Sequence, residues 1–255
     1  MASRKPGSKA VAAARRSGPD RTKIIIGVVV VVLLAGAVIG GILYSNAQKN
    51  KTAGQAIPAK SVSADYPVRR DGAVVIAGKD NAKVTVDIYE DFLCPFCRQF
   101  EDTNAAAISG KLADGSLRVQ YHLVTILNSR SNPPGYSLDA ANAGLCAADS
   151  NQFPAYFTSL FGSQPEEGAR GYSNDQLADL GANLGITAPD FKTCVTSGRY
   201  NQQIQTAETQ ATSLPYLQRD IGGGKMSFST PTIAVGQNLI DTADPKWLDK
   251  LLSAS

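Results

Sequence analysis

The chain has little of what histidine-based or methionine-based chemistry requires, with one histidine, two methionines and one tryptophan among its 255 residues. A metal site built from several histidines is therefore excluded. Hydrophobic residues make up 43% of the chain and charged residues 18%, which excludes a fully disordered chain and a protein of many membrane spans. No internal repeat is visible. Cysteine is also scarce, and the four cysteines carry most of the functional information.

Positive charge is concentrated at the start of the chain. Residues 1–23 carry seven lysines and arginines against one acid, whereas residues 24–255 carry 18 basic and 21 acidic side chains. The larger part is therefore mildly acidic, and the net charge of +3 does not indicate nucleic-acid binding. A basic tail can contact nucleic acid, but beside an apolar run it is typical of a topology signal. We expect no nucleic-acid partner.

Residues 24–44 form an apolar run of 21 residues without charge. As a helix this run would span roughly 30 Å, the hydrocarbon thickness of a bilayer. Because positive charge precedes it, we expect residues 1–23 in the cytoplasm and everything after Tyr44 outside the membrane. A cleaved signal peptide is the alternative, since Ser45-Asn46-Ala47 suits a peptidase, but the run is long for a signal sequence. We predict a single-pass cell-membrane anchor and an extracytoplasmic domain.

The remainder of the chain is predicted to be a linker followed by one α/β domain. Residues 45–70 are polar and have neither the strand period nor the helix period, so we expect a linker that holds the domain away from the bilayer. The domain, residues 71–255, is expected to have the order β-β-α-β, a helical insertion at about 136–225, and then β-β-α. Strands are expected at 73–76, 83–90, 117–126, 231–235 and 239–240, and helices at 98–112 and 244–252.

Two local patterns support this order. Val84, Val86 and Ile88 alternate with polar or aromatic residues, which is the parity of a strand with one buried face. In the insertion, the sequence Ser173-Asn174-Asp175-Gln176 is typical of a capping box. The helix that this box opens would carry Leu177, Leu180 and Leu184 on one face.

Cys94 and Cys97 form a C-x-x-C motif directly after a predicted strand and at the start of a predicted helix. The unpaired amides and the dipole at a helix N-terminus stabilise a thiolate on the first cysteine. The second cysteine is close enough to form a disulfide and to resolve a mixed disulfide with a substrate. Half of a zinc site and a purely structural disulfide are the alternatives. The other half of a zinc site is missing, and so short a ring gains little loop entropy.

Cys146 and Cys194 both fall within the helical insertion. Unpaired thiols outside the cell tend to be oxidised, so we expect these two to form a structural disulfide. Closing a loop of this length would contribute roughly 4 kcal/mol on the chain-entropy account. A second redox pair that relays electrons is the alternative.

The sequence Cys94-Pro95-Phe96-Cys97 resembles the DsbA-type branch of the thioredoxin superfamily. The helical insertion and Ser229-Thr230-Pro231-Thr232 before the final hairpin extend the resemblance over residues 70–255, and it is strongest to the anchored actinobacterial, mycobacterial form. It implies a thioredoxin fold with a helical insertion. It also implies that Pro231 is cis and faces the dithiol, and that the Thr230 backbone pairs with an extended substrate near Cys94.

Two positions depart from the pattern of that family. The histidine between the cysteines is replaced by Phe96, so Cys94 is expected to be acidic through the helix terminus alone. The buried acid that the family often has six residues before the first cysteine is replaced by Ile88. Glu90 and Asp91 are the candidate proton acceptors instead, although each also fits a solvated loop acid.

The residues and the resemblance together predict a thiol-disulfide oxidoreductase that donates the Cys94–Cys97 disulfide to reduced exported proteins. The resemblance implies reoxidation by a quinone-linked membrane oxidase, VKOR-like or DsbB-like. A reductase or isomerase of the same fold is one alternative, because direction depends on a reduction potential and on the partner. A non-catalytic peptide-binding module of the same fold is another. No metal and no bound cofactor is expected.

Overall fold

The computed structural model describes residues 21–254, without the side chains of residues 21–24 and 26–32. The chain divides into two compact units, one ending at Ala47 and the other beginning at Gln48. Helix α1, Arg21–Lys49, covers the backbone of the apolar run. No helix within the described residues meets both the length and the apolar character that a membrane crossing requires. Most of the basic tail and several side chains of the expected anchor lie outside the described residues, so the anchor stays a prediction.

The second unit is built on a six-stranded mixed sheet. The strands of this sheet are β1 Val68–Asp71, β2 Val74–Ala77, β3 Val84–Glu90, β4 Leu117–Leu123, β7 Thr232–Val235 and β8 Asn238–Leu239. Two further short strands, β5 Arg219–Asp220 and β6 Met226–Ser227, form a separate hairpin. The order across the sheet is β1-β2-β4-β3-β7-β8. Only the central pair, β3 and β4, is parallel. The sheet confirms the expected α/β fold, but its first strand, β1, was not predicted and begins in the segment expected to be a linker.

Helix α2, Pro95–Asp114, connects the two parallel strands. Parallel neighbours require such a crossover, which places the start of the helix at the carboxyl end of β3. Proline occupies the first helical position, where a missing N–H costs nothing. The helix ends at Gly115, whose left-handed φ of 84° allows its N–H to bond to the carbonyl of Leu112. The sheet and α2 thus bring the C-x-x-C motif to the edge of the core.

The insertion consists of five helices between β4 and β5, namely α3 Tyr136–Asp149, α4 Phe153–Gly162, α5 Asn174–Asn183, α6 Phe191–Thr196 and α7 Asn201–Ser213. The predicted capping box is present at Ser173, whose side chain accepts from the backbone of Gln176. Cys146 of α3 and Cys194 of α6 form a disulfide with an S–S distance of 2.01 Å. The Asn142 side chain donates to the carbonyls of Cys194 and Val195 beside it. The disulfide and this amide fix α6 to α3.

The segment expected to be a linker, residues 45–70, is in large part packed on the domain. Ile57 is buried in the core, and the Thr52 hydroxyl donates to the carbonyl of Arg170 at 2.8 Å. The Lys60 amide donates to Ser159, and β1 pairs with β2 along four residues. The linker prediction was wrong from Gln48 onward, because single buried residues and hydrogen bonds to the insertion hold a segment that has no apolar period.

The C-terminal elements agree with the prediction within a few residues. β7 and β8 form a hairpin through Gly236, which has a φ of 58°. The closing helix α8, Trp247–Ser253, begins three residues later than expected, because Asp244 accepts from the Trp247 amide in a turn. The small hairpin of β5 and β6, at the end of the expected insertion, was not predicted. It immediately precedes the segment that reaches the C-x-x-C motif.

Candidate active site

Cys94 is the N-cap residue of α2. Its own amide donates to the carbonyl of Asp91 at 2.9 Å, and its carbonyl accepts from the Arg98 amide at 3.2 Å. The residue therefore joins the turn after β3 to the first turn of the helix. This is the position at which a thiolate receives the most help from unpaired helix amides.

Cys94 and Cys97 are both free thiols, and both are buried. Cys94 retains 4% of its surface and Cys97 none. The remaining opening is at Cys94. Within the described residues, the sulfur of Cys94 is therefore the more accessible of the two.

The segment before β7 closes over the thiol. The Thr230–Pro231 peptide bond is cis, as the resemblance implied. The Cys94 thiol donates to the Thr230 carbonyl at 3.4 Å, so Thr230 and Pro231 lie beside the sulfur in the expected place. The Asn132–Pro133 bond is also cis, and nothing in the sequence analysis singled it out.

The pKa values of the two thiols are shifted in opposite directions. The pKa of Cys94 is lowered to about 6, first by a hydrogen bond from the Cys97 thiol and then by the Thr230 side chain and the amides of Cys97 and Phe96, against the effect of burial. The pKa of Cys97 is raised well above its usual value by burial, by Cys94 and by Glu90. The helix terminus alone, as expected from the sequence, does not account for Cys94. The neighbouring thiol contributes more than the amides.

Asp91 is buried and fully bonded. Its Oδ1 accepts from the Leu93 amide at 2.8 Å and from the Ser137 hydroxyl at 2.7 Å, and its Oδ2 accepts from the Leu127 amide at 2.8 Å. Burial raises its pKa to about 6 against the effect of these bonds. The reading of Asp91 as a solvated loop acid was wrong. The carboxylate ties the turn before Cys94 to the loop after β4 and to α3.

Glu90 is also buried, with 1% of its surface exposed, so a solvated loop acid was the wrong reading here too. Neither of its carboxylate oxygens has a hydrogen-bond donor among the described residues. Burial, and then the charges of Glu101 and Cys94, raise its pKa well above the usual range. The charge of Glu90 also raises the pKa of Cys97, which places this carboxyl beside the inner thiol.

Two residues near the motif were missed by the sequence analysis. The Gln164 amide, after α4, donates to the carbonyls of Phe92 and Cys94 at 3.0 and 2.9 Å. Glu101 lies within hydrogen-bonding reach of Glu90. Nothing in the sequence points to Gln164. Glu101 could have been found, because it stands four residues after Cys97 and therefore on the same face of α2.

The two positions that depart from the resembled family, Phe96 and Ile88, differ in their burial. Phe96 is 67% exposed and contributes only its backbone amide to Cys94. Ile88, where the family often has a buried acid, lies fully inside the apolar core. Asp87 points to the other face of β3, where its Oδ1 lies 2.9 Å from Nε2 of His122. The buried carboxyl that this strand places beside the thiols is Glu90, two residues after Ile88.

Comparison with known proteins defines the class of this fold and site. Residues 70–254 match the profile of the thioredoxin family. The chain belongs to the thioredoxin family, in its DsbA-type branch of thiol-disulfide oxidoreductases. Reduced DsbA of Mycobacterium tuberculosis is similar in structure, with a TM-score of 0.60 and 23% identity over 72% of this chain and 92% of that one. Reduced DsbG of the same organism has a TM-score of 0.57 and 26% identity, over 81% of this chain and 91% of that one.

One relative by sequence is a much longer protein, a protein kinase. The serine/threonine-protein kinase PknE of Mycobacterium tuberculosis is 33% identical over 191 residues, which are 72% of this chain but 32% of the kinase. The chain thus spans about a third of the length of this curated relative. A putative protein-disulfide oxidoreductase of Rickettsia typhi is 22% identical over 134 residues, 52% of this chain and 47% of that protein.

Proposed function

We propose that the chain oxidises cysteine pairs of exported proteins by disulfide exchange at Cys94 and Cys97. One observation carries the proposal: Cys94 lies at the N-terminus of α2 and against the Thr230 carbonyl. In these surroundings its pKa is lowered to about 6, whereas the pKa of Cys97, three residues on, is raised. At neutral pH the reduced pair therefore holds a stable thiolate at Cys94. A dithiol stabilised in this way gives up its disulfide readily to other thiols, because its reduced form is the favoured one.

The exchange proceeds in two steps. The substrate thiolate attacks the Cys94 sulfur of the oxidised protein, the bond between Cys94 and Cys97 breaks, and its electron pair leaves on Cys97. A second substrate thiolate then attacks the substrate sulfur of the mixed disulfide and releases Cys94 as a thiolate. The substrate loses two electrons in forming its disulfide, and the protein gains them. Cys94 is a good leaving group in the second step because its pKa is low.

Cys97 needs a proton in the first step, because a buried thiolate with a raised pKa is unstable. Glu90 is the candidate donor, since its unpartnered carboxyl is buried beside the thiols. Asp91 is the weaker candidate. Three hydrogen bonds occupy its two oxygens, so its role is to position the turn before Cys94.

The substrate is proposed to lie in extended form across Cys94 and against the Thr230 and Pro231 segment. The Thr230 carbonyl already accepts from the thiol and would be free to pair with a substrate amide once Cys94 is engaged. The exposed ring of Phe96 provides an apolar contact next to the reacting sulfur. Unfolded exported chains, which expose apolar side chains around their cysteines, suit this surface.

An extracytoplasmic location on the cell membrane is the second part of the proposal. The uncharged run at 24–44 and the basic charge before it support it. So do the exposed apolar side chains of α1, which are Ile25, Leu33, Leu34, Val38, Ile39, Ile42, Leu43 and Tyr44. A quinone-linked membrane oxidase, VKOR-like or DsbB-like, would regenerate the disulfide at the same membrane. Retention of the full chain in membranes after a carbonate wash, with residues 48–254 open to external protease, tests the location; a soluble form beginning near Gln48 would contradict it.

The deciding experiment is equilibration of the full chain with glutathione mixtures, followed by alkylation and mass measurement. An oxidase should have a Cys94–Cys97 potential above roughly −200 mV, whereas a thioredoxin-like reductase lies near −270 mV. A Cys94→Ser variant is the control, because it removes the couple and keeps the Cys146–Cys194 disulfide. A potential in the reductase range would reassign the direction. Full activity of Cys94→Ser in a cell lacking the wild-type protein would favour a non-catalytic binding module.

A further inference from the structure

Three carboxyl oxygens near the thiols are buried without a donor among the described residues: both oxygens of Glu90 and Oε1 of Glu101. The two carboxyls are within hydrogen-bonding reach of each other. Glu90 is buried and Glu101 is half-buried. Two carboxylates have no hydrogen to share, and two adjacent anions in such a place are strongly unfavourable. The pair therefore holds a proton between its members.

The pair spans the distance from the inner thiol to a cavity. Glu90 ends β3 and faces Cys97, whereas Glu101 lies one helical turn after Cys97 on α2. Glu101 lines a cavity of about 240 Å³. Tyr66 and Tyr121 line it as well, so one wall comes from the segment that packs on the domain before β1.

Solvent can reach this cavity. Ala106, on its lining, is exposed, and Ala105 beside it is half-buried. Cys97 itself has no exposed surface, and the opening at Cys94 is the side on which a substrate would sit. A proton for Cys97 therefore needs a route that does not cross the substrate. The cavity is lined by Glu101 and by neither cysteine, so it offers such a route.

We propose that Glu101 is the outer carboxyl of a two-carboxyl proton relay that begins at Cys97 and passes through Glu90. The relay ends at solvent in the cavity beside Tyr66 and Tyr121. The relay rests on the disulfide exchange proposed above and gives that exchange a proton path. When the bond between Cys94 and Cys97 breaks, the Cys97 sulfur takes the proton of Glu90. Glu90 is reprotonated by Glu101, and Glu101 by solvent. Reoxidation runs the same path in reverse.

The groups that face the pair determine its titration. They are Cys94, Cys97, Asp102, Tyr66 and Tyr121. Burial, and then the charge of Asp102, raise the pKa of Glu101 to about 8. The tyrosine pKa values are raised from 10.0, so these side chains stay neutral. The carboxyl pair is thus the part of this cluster that exchanges a proton with Cys97 near neutral pH.

The test measures one step directly. The oxidised full-length protein is reduced by dithiothreitol, quenched with acid and alkylated, and the rate is followed from pH 6 to pH 9. Glu101→Gln keeps the volume of the side chain but cannot pass a proton, so it should slow the reduction about tenfold or more near pH 7. Its pH profile should lose the inflection of the carboxyl pair. Glu101→Asp should restore part of the rate, and Glu166→Gln, the same change at an exposed acid, should behave as wild type.

Two further measurements separate the relay from a structural role. The pKa of Cys94, followed by its rate of alkylation in the reduced protein, should be nearly the same in Glu101→Gln, and Ala105→Leu should slow the reduction by filling the cavity without altering either carboxyl. A rate and pH profile of Glu101→Gln that match Glu166→Gln would overturn the relay. If Glu101→Gln is reduced slowly but Ala105→Leu is reduced at the wild-type rate, the cavity is not the end of the relay. The disulfide exchange would fail separately, if oxidised wild type did not oxidise a reduced two-cysteine peptide.

Discussion

The Cys94 thiol and the Thr230 carbonyl oxygen lie 3.4 Å apart, joining the start of α2 to the start of β7. In this arrangement the thiol donates and the carbonyl accepts. Loss of the thiol proton removes that bond, and the thiolate is then stabilised by Cys97, by the Thr230 side chain and by the helix amides. In the disulfide, as in the thiolate, Cys94 has no hydrogen to donate, so the Thr230 carbonyl is available to a substrate amide.

The hydrogen bond from the Cys97 thiol is the largest of the effects that lower the pKa of Cys94. Cys97→Ala should therefore raise the Cys94 pKa from about 6 toward the usual value for a thiol. Cys97→Ser is the matched control, because its hydroxyl keeps a donor at the same place and should restore most of the effect. The rate of alkylation as a function of pH measures both. An unchanged pKa in Cys97→Ala would show that the helix amides suffice.

Reduced protein should be more stable than oxidised protein at pH 7, with the Cys146–Cys194 disulfide intact in both. The folded pKa of Cys94 is lowered to about 6, so its stabilisation is present above the unfolded pKa near 8.5 and is lost as the pH falls through 6. At pH 7 this linkage contributes about 1–2 kcal/mol. The difference in melting temperature should widen from pH 6 to pH 8. A higher melting temperature for the oxidised form would indicate a reductase.

Histidine at position 96 should make the couple more oxidising. Phe96 is exposed, so Phe96→His costs little packing and places a titratable ring near the Cys94 thiolate. The pKa of Cys94 should fall, and each 1.4 kcal/mol gained by the thiolate should shift the glutathione equilibrium about tenfold. Phe96→Leu, which has no charge or polar hydrogen, should leave the pKa and the equilibrium as they are in the wild type. A histidine variant indistinguishable from Phe96→Leu would contradict the prediction.

Gln164 is predicted to hold the nucleophile turn by its two hydrogen bonds to the carbonyls of Phe92 and Cys94. Gln164→Ala should lower the free energy of unfolding by about 1–2 kcal/mol, because it leaves two partly buried acceptors without that donor. Gln202→Ala, on the exposed face of α7, is the control and should cost much less. Urea denaturation of both variants measures the difference. Equal losses would show that the Gln164 bonds are not important for the turn.

The carboxyl pair should make the oxidised protein less stable as the pH rises. The folded pKa of Glu101 is raised to about 8, so the folded protein holds a proton that the unfolded chain releases near pH 4.3, and stability falls between these values. Glu101→Gln should therefore gain on the order of 1–3 kcal/mol at pH 8 and little at pH 4. The oxidised form is used because its cysteines do not titrate. A wild-type protein equally stable at pH 5 and pH 8 would contradict the expected burial cost.

Much of the sheet and the placement of the C-x-x-C motif could be predicted from the sequence. Strand parity over Val84, Val86 and Ile88 sets the buried face of β3, and the motif after that strand lies at the start of α2. The capping box at Ser173 is present as predicted. These features depend on neighbours along the chain, and short-range pattern describes them well.

Features that depend on distant parts of the chain were missed. Residues 48–70 pack on the domain through isolated contacts such as Ile57 and Thr52, which leave no period in the sequence. Burial of Glu90 and Asp91 follows from the way α2, α3 and the loop after β4 close over the end of β3. Gln164 reaches Cys94 from 70 residues away. Only the Glu101 position could have been inferred, from its helical spacing to Cys97.

Strand β1 has a consequence for aggregation. None of its residues is fully buried, and only Val68 packs against the core. It nevertheless occupies the hydrogen-bonding edge of β2. A protein shortened to begin after Asp71 would keep every cysteine but would expose β2, whose residues Val75, Ile76 and Ala77 are buried. An apolar strand with unpaired backbone groups is a template for pairing with another chain. By pairing with β2, strand β1 therefore protects this edge of the sheet from pairing with another chain.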